Sequence, residues 1–196
     1  VKKKQRRFSA AERIPIRQRL RLRRAARALQ KGKLIAHETS TLPGIAASPK
    51  HPRALAKLRR FKQRQGPFLL IAADIATALC CFRFLPKALR RRARECWPGT
   101  TTLVAPARTQ FLPLARKGAI AVRVDAACEV RLFAHYAGGL IVSTSLNRKG
   151  QAPQRPSQKL RLRWHRWIDL ALPGKAGCGL PSTIERWTPQ GWQRLR

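Results

Sequence analysis

Acidic side chains are scarce in this chain: 8 Asp and Glu stand against 43 Lys and Arg in 196 residues. So few carboxylates leave little from which to build a carboxylate dyad or a two-metal centre. No apolar run approaches the ~20 residues that a helix needs to span a bilayer, the longest lying near residues 68–73 and 138–142. The basic opening, residues 1–7, is not followed by the apolar stretch of about 7–15 residues that a signal peptide requires. A soluble cytoplasmic protein is therefore expected. Five cysteines, Cys80, Cys81, Cys96, Cys128 and Cys178, are an odd number without C-x-x-C spacing, which points to reduced thiols and away from a zinc site or a disulfide framework. The four histidines show no metal-ligand spacing, and no metal site is expected. P-loop, G-x-G-x-x-G, G-x-S-x-G and H-E-x-x-H strings are all absent.

What is present is enough apolar side chain, 44% of the residues, for one real core, and a net charge of +35. Such an excess calls for an anionic partner, and RNA fits it best. A membrane surface fits less well, because no segment pairs Lys and Arg with a clean apolar face. Residues 1–33 hold 14 Lys and Arg and a single acid, Glu12. Residues 1–16 read as a basic extension and 17–196 as one domain, with no internal repeat and no second hydrophobic block.

From about Arg17 the composition favours a helix that Gly32 stops, and residues 34–36 form a short buried strand ended by the Pro43-Gly44 turn signal. Residues 52–63 read as an amphipathic helix, 68–73 as a strand, and 75–81 as a helix capped by Asp74. Another basic helix covers 87–96, and Trp97-Pro98-Gly99 breaks it before a β-branched strand at 100–105. Strands at 119–124 and 140–144 flank a helix at 128–136. Residues 148–158 form a loop, 160–164 either helix or strand, and 168–172 a last central strand, followed by a glycine-rich turn. Strands alternating with helices imply an α/β sheet with crossovers.

Several residues suit binding chemistry. Lys62 and Arg64, at the end of a basic helix, match a triphosphate: the ammonium as a mobile point charge, the guanidinium as a planar fork. In so basic a chain such a pair also arises by chance. Ser143, Ser145 and Asn147 alternate, so a continuing strand puts three small hydrogen-bonding groups on one face. The plainer reading is an ordinary strand exit. Arg123 sits among core-like neighbours in Ile120-Ala121-Val122-Arg123-Val124, either as an edge-facing arginine or as an anion receptor, and we favour the receptor. Thr39 falls just past a strand end, where open α/β sheets bind ligands. Ser182 and Thr183 either reach the same cleft or start the final strand. Trp164, Trp167, Trp187 and Trp192 cluster near basic residues and serve either the core or the stacking of unpaired bases.

The order of residues 34–49, Lys62-Gln63-Arg64, residues 68–73, W-P-G-x-x-T-L-V at 97–104, A-V-R-V at 121–124, S-T-S-x-N at 143–147 and residues 181–184 resembles the YrdC/YciO-like (TsaC-type) family over nearly the whole chain. The resemblance implies a single-domain α/β fold, a twisted mixed sheet flanked by helices with a basic concave cleft. It implies an L-threonylcarbamoyladenylate synthase, a nucleotidyltransferase that uses L-threonine, bicarbonate and ATP, with Mg2+ assisting, toward threonylcarbamoyladenosine in tRNA. Lys62 and Arg64 would be catalytic and hold ATP phosphates, with Ser145, Asn147 and Arg194 on the nucleotide. Thr39, Arg123, Ser143 and Ser182 would lie on the threonine side. RNA, as tRNA or double-stranded RNA, and threonylcarbamoyl-transfer proteins are the implied partners. The family's aromatic-Pro-Thr-Glu string appears here as His37-Glu38-Thr39-Ser40, and Leu146 replaces a small residue. These departures motivate an alternative: a catalytically weakened YrdC-like RNA-binding protein acting on tRNA or rRNA.

Overall fold

The computed structural model describes residues 14–63 and 68–196. Helix α1 (Ile16–Gln30) buries Leu22, Ala25, Ala26 and Leu29, an i, i+3, i+4, i+7 spacing that puts all four on one stripe, and leaves its arginines outside. Strand β1 (Ile35–His37) follows, paired with β2 (Gly44–Ala47). The second of these was not expected: residues 44–47 read as the aftermath of a turn, yet all four are buried. Four residues are too few for their periodicity to distinguish strand from loop.

Helix α2 (Pro52–Lys62) starts on His51, whose ring accepts the Ala54 N–H, and has Pro at its first position. Its buried Leu55, Leu58 and Phe61 fall on the expected three-residue spacing. Then come β3 (Leu69–Ala72), the short helix α3 (Ile75–Leu79) capped by Asp74, α4 (Lys87–Cys96), β4 (Thr101–Pro106), β5 (Ala119–Arg123), α5 (Cys128–Tyr136) and β6 (Leu140–Ser145). The stretch left open between helix and strand is helix α6 (Gln158–Arg163), capped by the Ser157 hydroxyl. Strand β7 (Leu170–Leu172) and the hairpin β8 (Thr183–Thr188) and β9 (Gly191–Arg194) complete the fold.

Among the described residues nine strands form one mixed sheet in the order β7-β1-β2-β6-β3-β5-β4-β8-β9. Pairs β1/β7, β3/β5 and β4/β8 are parallel and the others antiparallel. Strand β7 is thus an edge strand and not the central one expected from its apolar residues. All three of its residues are only half-buried. Helices α2, α3, α4 and α6 pack one face of the sheet, around Leu70, Val122, Val142 and Leu103, with Phe61, Phe82 and Leu58 fully buried. Trp164 belongs to this core, its ring 5.2 Å from that of Phe61, and Trp167, Trp187 and Trp192 pack against it. Trp164 is therefore a core residue, while Trp167, Trp187 and Trp192 are half-buried at the margin of the core.

The opposite face carries α1 and α5, which bury Ile35, Ala46, Ile71 and Ile141. They cover only the β7, β1, β2, β6 and β3 part of it. Along the register the row Ser143, Leu69, Ala121, Val104, Arg186 crosses from β6 to β8, and Leu69, Ala121 and Val104 are only half-buried and Arg186 exposed. That open stretch is where a ligand can lie against the sheet. Among the described residues no helix is long and apolar enough to cross a membrane.

Candidate functional site

Helix α2 ends where Gln63 turns left-handed at φ 51, and this delivers Lys62 to the exit of β6. The Lys62 ammonium donates to Ser145 O at 2.7 Å and Oγ at 3.3 Å, and to Asn147 O at 2.5 Å and Oδ1 at 2.6 Å. Asn147 lies past the end of the strand, so it meets Ser145 by the turn of the chain and not by strand alternation; Ser145 Oγ donates to its Oδ1 at 2.6 Å. Two strings more than eighty residues apart thus form one polar cluster. Lys62 is 3% exposed, a burial that an ammonium tolerates because acceptor oxygens saturate its three donors. Arg64 lies outside the described residues.

Two residues before the end of β6, Ser143 points to the same face as Ser145. Its Oγ is 3.0 Å from His37 Nε2, and His37 Nδ1 is 3.0 Å from Glu38 O. Since a carbonyl only accepts, Nδ1 is the donor, and Nε2 is left to accept from the Ser143 hydroxyl. Burial lowers the His37 pKa to about 4, so the ring is neutral at ordinary pH. Gly44, opposite on β2, makes this pair possible: a Cβ there would stand 2.8 Å from Ser143 Oγ and 2.9 Å from His37 Nε2.

Arg123 and Asp125 project from the end of β5 to that same face. Their ion pair measures 2.7 Å with both side chains buried, and Arg123 Nη1 donates to Thr41 Oγ1 at 2.8 Å. Asp125 Oδ1 accepts from Ser40 N and Ala127 N, both at 3.0 Å, tying the segment after β1 to the start of α5. Burial pushes the Arg123 guanidinium below its ordinary pKa and Asp125 opposes the shift. Arg123, expected as an anion receptor, already has a protein carboxylate beside it, while its Nε has no hydrogen-bond partner.

Thr39 Oγ1 donates to Leu42 O at 2.7 Å and accepts from Thr41 N, closing the turn after β1. The loop of residues 173–179 lies across this turn, with Cys178 N bonded to Ser40 O and Gly179 N to Thr41 O. Only glycine fits at 177, because a Cβ would come within 2.3 Å of Thr39 O. Ser182, 7% exposed, accepts from Thr102 Oγ1 at 3.1 Å and receives Arg196 Nη2 at 3.4 Å.

Arg194 is not brought to this group. It lines a hollow with Arg91, Arg92 and Glu185, where Arg92 forks onto Glu185 at 2.8 and 2.6 Å and holds that carboxyl below its usual range. After Arg194 both Leu195 N and Arg196 O bond to Ile184, two residues against one, and this bulge lets Arg196 turn to Ser182 instead. A hollow of about 720 Å³ lies beyond the 39–40 segment, under α1 and α5, lined by His37, Glu38, Phe133 and Leu172 among others. Thr39 is the sequence-predicted residue that touches it.

Sequence reasoning passed over His37, Thr41, Asp125 and Arg196. Asp125 carried a usable signal, since it follows Arg123 by two positions and so shares its face. Arg196 did not, because its direction depends on the bulge. Among the described residues no three His, Cys, Asp or Glu side chains come together to hold a metal ion. Both oxygens of Asp125 are engaged by Arg123, Ser40 N and Ala127 N, so this carboxylate has no free oxygen to offer a metal ion.

The Sua5/YciO/YrdC family model, described as telomere recombination, matches residues 27–196. The chain is 35% identical over 164 residues to a threonylcarbamoyl-AMP synthase of Stenotrophomonas maltophilia, covering 81% of this chain and 88% of the relative. Its fold is similar to that of YciO from E. coli, with TM-score 0.80 and 20% identity over 91% of this chain and 89% of the other. The Sua5 protein of P. abyssi, solved in complex with L-threonine, matches 94% of this chain with TM-score 0.81 and 23% identity. The chain spans 55% of that longer protein.

Proposed function

The chain belongs to the Sua5/YciO/YrdC family, and from that premise we propose that it is a threonylcarbamoyl-AMP synthase. It combines L-threonine, bicarbonate and ATP, supplied with Mg2+, and releases pyrophosphate in the cytoplasmic pathway to threonylcarbamoyladenosine in tRNA. The observation that carries this reading is the meeting of Lys62 with Ser145 and Asn147 at 2.5–3.3 Å, on the sheet face to which Ser143 and Arg123 also point. Attack of a threonine carbamate oxygen on the α-phosphorus expels pyrophosphate and needs positioning and neutralised phosphate charge more than a general base. Lys62 and Arg64 hold the phosphates in this reading, and Ser145 and Asn147 the nucleotide. Thr39, Arg123, Ser143 and Ser182 form the threonine side. Arg196, the arginine that reaches Ser182, takes the place in the cleft that Arg194 does not reach. Threonylcarbamoyl-transfer proteins are the natural recipients of the product.

The test is pyrophosphate release by the purified protein given ATP and bicarbonate. Release that requires threonine, and that Lys62→Ala abolishes in a protein that still melts cooperatively, supports the reading. A folded wild-type protein that releases none overturns it.

A specific observation favours the second reading, a catalytically weakened RNA-binding protein. Four protein oxygens surround the Lys62 ammonium, and Asp125 holds Arg123. Calorimetry separates the two: ATP binding lost in Asn147→Ala belongs to the synthase, and no heat with ATP belongs to the alternative.

A further inference from the structure

Thr39, Arg123, Ser143 and Ser182, the side chains assigned to the threonine side, differ in what their hydrogen bonds leave over. Thr39 Oγ1 gives its proton to Leu42 O and accepts from Thr41 N. The Thr41 hydroxyl takes Arg123 Nη1, and its own proton goes to Thr39 Oγ1 at 3.1 Å. A hydroxyl has one donor and two acceptor positions, so Thr39 is full. Ser182 Oγ accepts from Thr102 Oγ1 and Arg196 Nη2, which leaves it a proton to donate. Arg123 keeps its Nε, a donor, buried and without a partner. Ser143 is the reverse of these: its proton is committed to His37 Nε2 at 3.0 Å, and both its lone pairs are left.

That arrangement depends on the His37 ring. Its Nδ1 donates to Glu38 O at 3.0 Å, which fixes the tautomer with Nε2 bare. The Glu38 carbonyl and the Phe133 ring, 5.8 Å away, hold the imidazole in this direction, and Gly44 leaves it room, since a Cβ there would stand 2.9 Å from Nε2. His37 is 2% exposed, and this burial keeps bulk water from Nε2. An amino acid brings three kinds of group to such a site. Its carboxylate needs donors and its hydroxyl pairs with either kind, but its amino nitrogen, as ammonium or as carbamate N–H, needs an acceptor. Among the four side chains, Ser143 alone has acceptor positions left and no proton to turn toward that nitrogen.

We propose that His37 is a positioning residue: by holding the Ser143 proton it makes Ser143 Oγ a fixed acceptor for the amino N–H of the amino-acid substrate. This rests on the synthase reading for which substrate enters the cleft. It adds a selection, for a 2-amino acid over the 2-hydroxy acid of the same shape, because a hydrogen bond from an ammonium is roughly twice as strong as one from a neutral hydroxyl. His37 itself touches no substrate.

The experiment is calorimetry of the full chain at pH 7 with L-threonine and, separately, with the 2,3-dihydroxybutanoate of the same stereochemistry, which has a hydroxyl in place of the amino group. The wild-type chain prefers threonine by about tenfold or more. In His37→Leu the Ser143 proton is free to turn, so affinity for threonine falls at least about fivefold and affinity for the hydroxy acid less than about twofold. His37→Gln, whose amide oxygen reaches the place of Nε2, restores at least half of the lost preference. Ser143→Ala loses the same preference, and His37→Leu added to it lowers threonine affinity no further, as expected of groups that act in series. Nitrogen NMR of the wild-type chain reads the tautomer directly: the His37 signals, identified among the four histidines by their loss in His37→Gln, show a protonated Nδ1 and a bare Nε2. Equal weakening of both ligands in His37→Leu, a proton on Nε2, or no heat with threonine in the wild-type chain would each overturn the inference. Pyrophosphate release is read in parallel. The ligand pattern without release sinks the synthase reading and leaves this inference standing; release with equal weakening does the reverse.

Discussion

Replacing Asp125 by Asn tests whether the buried ion pair under the cleft holds three segments together. The carboxylate is fully buried and takes Arg123 at 2.7 Å on one oxygen, and Ser40 N and Ala127 N at 3.0 Å on the other. Asn preserves volume and keeps a carbonyl oxygen for the two backbone donors. It removes the charge, turns an amide donor toward the Arg123 guanidinium, and leaves that cation buried without a counter-ion. Breaking a buried pair in this way costs about 3–5 kcal/mol. At roughly 2–4 °C per kcal/mol for a domain of this size, the melting temperature falls by about 10 °C. Asp125→Ala costs more, because two backbone N–H groups also lose their acceptor at about 1–3 kcal/mol each. Urea unfolding followed by the fluorescence of the five tryptophans measures both. Adding Arg123→Met to Asp125→Asn removes the stranded charge and recovers at least ~1 kcal/mol, a coupling expected only of groups in contact. A loss below ~1 kcal/mol in Asp125→Asn, or strict additivity in the double variant, would refute the reasoning.

Two further expectations concern the serine and histidine beside it. Gly44→Ala drives a Cβ to 2.8 Å from Ser143 Oγ and costs about 1–3 kcal/mol by overpacking, and the further change Ser143→Ala relieves part of it in a thermal melt. His37, with a pKa of about 4 folded against 6.5 unfolded, binds a proton in the unfolded chain first. Its contribution is therefore complete above pH 6.5 and is lost as pH falls toward 4. Between pH 7 and 4.5 the loss is about 2–3 kcal/mol by linkage. His37→Phe removes this part of the acid limb in denaturant titrations at the two pH values; an unchanged limb would show that His37 is not its source.

Local patterns carried much of the fold. The spacing of Leu55, Leu58 and Phe61 and the Pro at position 52 placed α2, and the residues expected at 87–96 and 128–136 coincide with α4 and α5. Short strands were harder. Residues 44–47 are buried on all four positions and show no alternation, and β8 and β9 are half-buried or exposed at every position with charged residues among them. In the site, Lys62, Ser145 and Asn147 were identified by residue type and order, and they do meet. Arg123 was identified too, but its carboxylate partner was not weighed. Arg194 came from the family resemblance and not from its surroundings in the sequence, and a bulge gave the contact with Ser182 to Arg196.

The sequence by itself determined the excess of cationic charge, the alternation of helix and strand, and the few polar residues set at strand ends, because these follow from side-chain type and short-range period. Only the tertiary structure decided which cations have partners. Lys62 lies in a ring of oxygens and Arg123 is bound to Asp125, while the α1 arginines have no carboxylate within ion-pair reach among the described residues. The physical reason is that charge is a property of a residue, whereas its neutralisation depends on which distant atoms the sheet register and the helix packing bring within about 3 Å.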